Sequence, residues 1–580
     1  MIRLAIIILF SLFLSQESIS FNYESKYGNG TNVNDGSNGE ESPYSYFENL
    51  LDVNFSYKNL FIYTQLEYSN SPIYGVDRIE IENLANTYNV EYSHLDLVVK
   101  YGHIQSLYGY GLSVNMFQDQ TTDFDNRVKG VEIKYSPYDM FDIFYISGKG
   151  NYGIKSSADK RINNLLFDHE LDLLGTQFYT DFGDISFIYS DKKTYYLADI
   201  YDNLKISDTR IANDLEEYWI TNIGDTWNNL IESDSEVNLR SFNIGYGNSL
   251  GNFDLYLEYD INSYNKILRD KDINGASKFL SIATEMLGVD FLYEFKDYDM
   301  VYYMPITSSP PLVFNESSSV LISRNQHSID FSDEIGHQFE SRFNLTSDIS
   351  FLMNLSIGRK HSGIKNELDI FDENGGINFD ENGNIIYGIY TEPTFKDLYN
   401  MNFLDKDLVA HKPFRDFYIE GSGWNKNNNI YFKLGYQSHY SYDNVSGKNY
   451  QSNSIPTQFV YAFKNNNSFT CYYETQQTKN LSYGFSDEYT FFTDEYEYMS
   501  LSYHFNKFGS LSYFIDSEYK ESIDKSQYWT GWEMSFELSS SMQFSIFQGS
   551  QKGGLVCANG ICAVQPSFED GTKMTFRVLF

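Results

Sequence analysis

The stretch Asn252-Phe253-Asp254-Leu255-Tyr256-Leu257-Glu258-Tyr259-Asp260-Ile261-Asn262 decides how the chain is read. On an extended strand successive side chains point to opposite faces. Phe253, Leu255, Leu257, Tyr259 and Ile261 then share one face, and Asp254, Tyr256, Glu258 and Asp260 share the other. One face suits hydrocarbon and the opposite face carries charge. The alternation recurs to the last residue, Phe580: Ile430, Phe432, Leu434 and Tyr436 alternate with Tyr431, Lys433, Gly435 and Gln437, and Leu511, Tyr513 and Ile515 alternate with Ser512, Phe514 and Asp516. A soluble sandwich shows such alternation too. Its combination with an export signal, long alternating segments throughout and an aromatic terminus predicts an all-β fold, a single large antiparallel transmembrane β-barrel.

The first twenty residues read as a signal peptide. Arg3 gives a positive start, Leu4 to Leu14 is apolar but too short to span a bilayer, and Ser18-Ile19-Ser20 offers a small-x-small cleavage site before Phe21. Residues 21–580 are then the barrel. Beyond residue 20 no run of about 18 apolar residues occurs, so any membrane span must be built of strands. Localisation in the outer membrane of a Gram-negative bacterium follows, with outer-membrane lipid as the surrounding partner.

Composition agrees. The 580 residues include 51 Tyr and 46 Phe but only 10 Pro, and the mean hydropathy is -0.43. A barrel needs apolar side chains on one face alone, with aromatic girdles at the interfaces. A formal charge of -37 speaks against nucleic acid as a partner, because acidic surfaces repel phosphate.

Tight turns are predicted at Lys58-Asn59, Ser93-His94, Ser136 to Asp139, Phe182-Gly183, Asn248 to Gly251, Lys296-Asp297, Ser347-Asp348, Lys426-Asn427, Asn465-Asn466, Lys507-Phe508 and Ser539-Ser540. Longer polar connections are predicted near 28–44, 70–85, 105–126, 149–169, 192–236, 307–335 and 360–410. Short periplasmic turns and long extracellular loops are the asymmetry of bacterial barrels, and the count comes to about 24 strands, within roughly 20 to 26. Strands begin directly after the leader, so no N-terminal plug domain is expected.

The closing segment Asp570-Gly571-Thr572-Lys573-Met574-Thr575-Phe576 resembles the C-terminal insertion signal of outer-membrane proteins, with Gly571, Met574, Phe576 and Phe580 as its marks. That resemblance implies recognition by the barrel-assembly machinery. Cys557 and Cys562 flank Asn559-Gly560, a type I′ hairpin signal. With Ala558 and Ile561 as the hydrogen-bonded pair, the cysteines fall where side chains approach most closely, and an exported chain permits a disulfide. Cys471 is expected to be a thiol without a role.

Gly553-Gly554-Leu555-Val556 running into that hairpin, with Pro566 and Phe568-Glu569, resembles the ending of a family of uncharacterised outer-membrane barrels found in Bacteroidota-like bacteria. Tyr108-Gly109-Tyr110-Gly111-Leu112 with Asp125-Asn126 and Gly130 is similar to the same family. So is Pro310-Pro311-Leu312-Val313, followed by Glu316, Leu321, Arg324, His327 and Asp333 to Glu340. The resemblance implies the fold and the membrane and names no cargo.

Three constellations could carry function. A 307–340 loop folded into the lumen would present Arg324, His327, Glu334, His337 and Glu340 as a constriction or binding site; a surface loop pinned by Pro310 and Pro311 is the alternative. Asp380, Asn382 and Asn384 have the oxygen spacing of a calcium loop, although Thr391 stands at the twelfth position and an Asn382-Gly383 hairpin fits equally well. Gly109 and Gly111 lack the Lys of a phosphate loop and read as bending points at a barrel rim. No Gly-x-Ser-x-Gly elbow occurs and the nine His are dispersed, so catalysis is not expected, and no cofactor beyond a calcium ion. The chain is read as a channel or porin-like transporter for polar or small solutes. The alternative is a non-conducting barrel whose acidic extracellular loops bind a partner, a surface layer or a secretion complex.

Overall fold

The computed structural model describes residues 17–33, 41–70, 85–119, 124–154, 165–196, 235–265, 273–299, 307–324, 327, 329, 333–361, 411, 413–443, 448–483, 489–558, 561–565 and 567–580. Within them 24 strands form one antiparallel sheet in chain order. The sheet closes where Glu17–Val33 pairs with Phe568–Leu579, Tyr23 opposite Val578. Phe21 and Phe580 exchange backbone hydrogen bonds of 3.0 and 2.9 Å at the seam. Closure removes both sheet edges, so each strand has a neighbour on either side to pair its backbone groups, as a bilayer demands. The first strand starts at Glu17, inside the segment read as a leader.

The strand Phe253–Asn265 shows the predicted division of faces. Phe253 is 51% and Ile261 43% exposed, whereas Glu258 and Asp260 are 2% and 1% exposed. Large apolar side chains lie outside all round the barrel, among them Leu434, Tyr513 and Phe536, while acids, amides and hydroxyls are buried inside. That inverts the arrangement of a water-soluble protein and fits a hydrocarbon exterior.

At one end the connections are tight, as at Lys58-Asn59, Ser347-Asp348 and Lys507-Phe508. The turns predicted at Ser93-His94 and Ser136 to Asp139 fall a residue or two later, at Leu95-Asp96 and Asp139-Met140. Lys296-Asp297 is not a turn at all. Both lie inside Val289–Asp299, and the chain turns instead at Leu287-Gly288, with φ of 56° and 76°. Positive φ at both positions makes the turn type I′, which matches the strand twist. Lys-Asp misled because polar pairs mark turns in soluble proteins, whereas a barrel also places polar side chains on its inner wall.

Rings on the inner wall lie over glycines of neighbouring strands. A Cβ at Gly175 would stand 2.2 Å from the Phe144 ring, and one at Gly531 would meet both Phe547 and Phe514. Glycine there provides the flat bed that a ring covers, a device that pins register.

Candidate functional site

Among the described residues, two connections fold into the lumen. The first, following Leu97–Ile104, forms two small hairpins, Ser106–Tyr108 with Val114–Met116 and Gln118–Asp119 with Phe124–Asp125. Val114 and Met116 join Ile104, Val128, Phe144, Ile146, Leu171, Leu173 and Ile188 in an apolar cluster against the wall. Tyr108 stacks on Phe144 at 3.7 Å and donates its hydroxyl to Glu132 at 2.6 Å. Burial and the Glu132 carboxylate push the Tyr108 phenol well above its usual range.

Gly109 and Gly111 have φ of 64° and 94°, a region that side chains rarely adopt. They are not rim residues. A Cβ at Gly109 would stand 2.8 Å from Glu258 Oε2, and one at Gly111 would stand 2.7 Å from the Ser309 carbonyl. The glycines let this loop approach both the wall and the second loop. Glu258 accepts the Tyr110 N–H at 2.7 Å and the Asn243 amide at 2.8 Å, and Lys192 donates to the Ser113 carbonyl at 2.9 Å.

The second loop follows Val289–Asp299. Its start runs beside the first: Asn115 N–H donates to the Thr307 carbonyl at 2.8 Å, and Ser309 N–H to the Gly111 carbonyl at 3.2 Å. Tyr298 OH donates to the Pro311 carbonyl at 2.6 Å and Lys296 Nζ to the Leu312 carbonyl at 2.7 Å. The chain then crosses to the far wall, where the short helix Val320–Arg324 meets Glu474. That carboxylate accepts the N–H groups of Leu321 and Ile322 at 2.9 and 3.0 Å, satisfying donors a helix start leaves free. Arg324 Nη2 lies 2.5 Å from Asp516 Oδ2.

His327 returns the loop to its origin. Its Nε2 is 3.0 Å from Glu334 and its Nδ1 3.1 Å from the Ser441 hydroxyl, while the ring stacks on Phe414 at 3.9 Å. Burial holds the imidazole below the usual histidine range despite the Glu334 carboxylate. A neutral ring facing a carboxylate must carry its proton on Nε2, so Ser441 donates to Nδ1.

Arg324, His327 and Glu334 are therefore gathered in the lumen, one of the two arrangements the sequence left open for the 307–340 segment. Glu340 faces inward too, but it accepts from Arg342 at 2.8 Å and Asn354 at 3.2 Å, and Arg324 pairs with Asp516 instead. His337 is no lumen residue. Glu334, Gly336, Gln338 and Glu340 share the inner face, and period two sends His337 outward, against Tyr293 and Phe295. Asp380, Asn382 and Asn384 lie outside the described residues. Sequence reading missed Lys296, Glu474, Asp516 and Glu518; their inward alternation was visible, but not which loop each would meet.

In the final hairpin Gly554–Ala558 pairs with Ile561–Gln565, placing Cys557 opposite Cys562 in register. Cys471 is a free thiol whose strand alternation, opposite in phase to Tyr472 and Glu474, puts it on the outer face. Gly571 lies under the Phe568 ring, Met574 faces outward, and Phe576 lies opposite Ser25 and Phe544.

A model of the family of unknown function DUF6029 matches residues 1–580. The chain belongs to that family. No curated protein matches. Among solved structures it is similar to the P pilus usher (PapC) translocation pore, at 8% identity and TM-score 0.40, covering 97% of this chain and 99% of that one. It is likewise similar to the ferric enterobactin receptor PfeA of Pseudomonas aeruginosa, at 8% identity and TM-score 0.41, covering 98% and 81%. A BenF-like porin from Pseudomonas fluorescens Pf-5 aligns at 8% identity and TM-score 0.37, covering 76% and 98%. Likenesses of this size say nothing about cargo. Within this DUF6029 chain, the two inward loops are the described segments that leave the wall and enter the barrel.

Proposed function

We propose that the protein is an outer-membrane channel, or porin-like transporter, for small polar solutes, constricted by residues 105–119, 124–127, 307–324 and His327. The observation that carries this reading is the chemistry of the inner wall. Glu258, Asp260, Glu334, Asp416, Glu474, Asp494, Asp516 and Glu518 all face inward and are buried, with amides and hydroxyls between them. These acids are themselves covered by neighbouring side chains; what supports the reading is that the inward face is polar where a packed core would be apolar, the composition of barrels that enclose water. Loops folded inward that narrow a polar lumen are how a wide barrel becomes selective.

The reading carries further expectations. Residues 1–20 serve as a signal peptide, the barrel-assembly machinery recognises the strand ending at Phe580, and Cys557 and Cys562 form a disulfide. Asp380, Asn382 and Asn384 are the residues that would hold a calcium ion. The chain has no catalytic role, and an origin in Bacteroidota-like bacteria rests on the sequence resemblance.

Single-channel conductance in planar bilayers at neutral pH tests the reading. Stable ohmic steps with cation selectivity are expected from the acidic wall. Silence from folded, heat-modifiable protein would overturn it. The second reading, a non-conducting barrel that binds a partner through acidic extracellular loops, is favoured by the apolar seating of the first loop, which fills part of the lumen with side chains.

A further inference from the structure

On strands Tyr489–His504, Gly509–Lys520 and Lys525–Ser539 the inner faces bring Tyr496, Tyr498, Asp516, Glu518 and Trp529 onto one patch of wall. Two of the chain's own cations sit in it. Arg324 reaches Asp516 from the inward loop at 2.5 Å. Lys552, just beyond Met542–Gln551, lies 3.1 Å from Glu518 and over the rings of Tyr496 and Trp529 at 4.4 and 5.3 Å. Carboxylates backed by aromatic faces form the chemistry that recognises guanidinium and ammonium groups.

The patch has unused capacity. The Asp516 side chain is 4% exposed, yet its Oδ1 has no hydrogen-bond partner among the described residues, and neither does Arg324 Nη1. Glu474 nearby receives three donors, the Leu321 and Ile322 N–H groups and the Tyr472 hydroxyl. A buried carboxylate oxygen without a donor is unfavourable, so an incoming donor there gains more than at a satisfied acid.

Arg324 is also the more easily displaced of the lumen contacts. The helix itself stays seated through buried Leu321 and Ile322 and through Glu474 and Gln476, but the Arg324 side chain meets the wall in a polar contact with Asp516. The first loop, by contrast, is seated on an apolar cluster. Polar ties exchange for water or ligand with little net change, whereas exposing apolar surface does not.

We propose that this patch is a recognition site for organic cations and that Arg324 is a built-in competitor which a guanidinium- or ammonium-bearing solute displaces. The proposal rests on the channel reading for its physiological meaning, but not for binding itself. Argininamide is the probe and citrullinamide, its uncharged isostere, the control, titrated by calorimetry at low ionic strength into the full-length protein in detergent. If Arg324 fills the site about nine-tenths of the time, Arg324→Ala binds argininamide about tenfold more tightly than the parent. Arg324→Gln, which keeps side-chain bulk, moves in the same direction. Asp516→Asn and Glu518→Gln weaken binding beyond detection, and citrullinamide binds to none. Heat-modifiable electrophoretic mobility verifies that each variant is folded. Equal affinity in the parent and both Arg324 variants, or undiminished binding by Asp516→Asn, overturns the proposal. Calorimetric binding without conductance supports the site and sinks only the channel; conductance without binding sinks the site alone.

Discussion

The ammonium of Lys296 lies 2.5 Å from the carboxylate of Glu334 on the adjacent strand, and side-chain exposures of 0% and 3% put the pair beyond the reach of solvent. Lys296 also holds the Leu312 carbonyl, and Glu334 also holds His327. One ion pair thereby fixes both ends of the second inward loop to its own wall.

Removing one partner of a buried pair strands the other charge, typically at about 3–5 kcal/mol. Glu334→Gln is accordingly expected to lower the temperature at which folded electrophoretic mobility is lost, and Lys296→Met to do the same. The double variant should recover much of the loss, because no unpaired charge remains. Additive losses would show that the two side chains act separately.

Gly109→Ala would place a Cβ 2.8 Å from the end of the Glu258 side chain and Gly111→Ala one 2.7 Å from the Ser309 backbone carbonyl, both at positive φ. Strain of this kind is worth about 1–3 kcal/mol. The barrel itself should persist, since the wall is untouched, while the first loop becomes sensitive to limited proteolysis. Unchanged protease resistance in both variants would show that the loop is not held through these contacts.

His327 predicts a pH dependence. Burial keeps its folded value below the ordinary one near 6.5, with Lys296 and His439 pressing the same way and Glu334 opposing. The unfolded or released segment therefore binds the proton more readily. The stabilisation is present above the unfolded value and is lost as pH falls below about 6.5, by at most about 1.4 kcal/mol per pH unit. Thermal unfolding between pH 7.5 and 5 should show that decline in the parent and a shallower one in His327→Gln. Identical slopes would exclude His327 as the titrating group.

The chain has three cysteines, and Cys557 faces Cys562 in register. Thiol titration of denatured, unreduced protein purified from the envelope is expected to count one thiol, that of Cys471, and three after reduction. Three before reduction would mean that the hairpin holds by hydrogen bonds alone.

Much of the architecture was legible because the barrel's rule is local. Whether Phe253 faces outward and Glu258 inward depends only on strand period, so any stretch of about ten residues carries the answer. Tight turns were legible where Asn, Ser and Gly mark them, and they failed at Leu287-Gly288, where an exposed leucine occupies the turn. The insertion of Arg324 and His327 into the lumen was legible as one of two options, since Pro310 and Pro311 stiffen a loop without saying which way it goes. Glu340 and His337 show the limit: both stood in the candidate segment, but only register separates the inward residue from the outward one.

Sequence by itself determined the strand faces, the antiparallel barrel and the apolar belt, because each follows from alternation within one strand. The meeting of Arg324 with Asp516, of the helix start with Glu474, and of Asn115 with Thr307 was decided by tertiary structure alone. Those partners lie far apart along the chain, and only closure of the sheet at Phe21 and Phe580 fixes the curvature that sets which walls a loop crossing the lumen will touch.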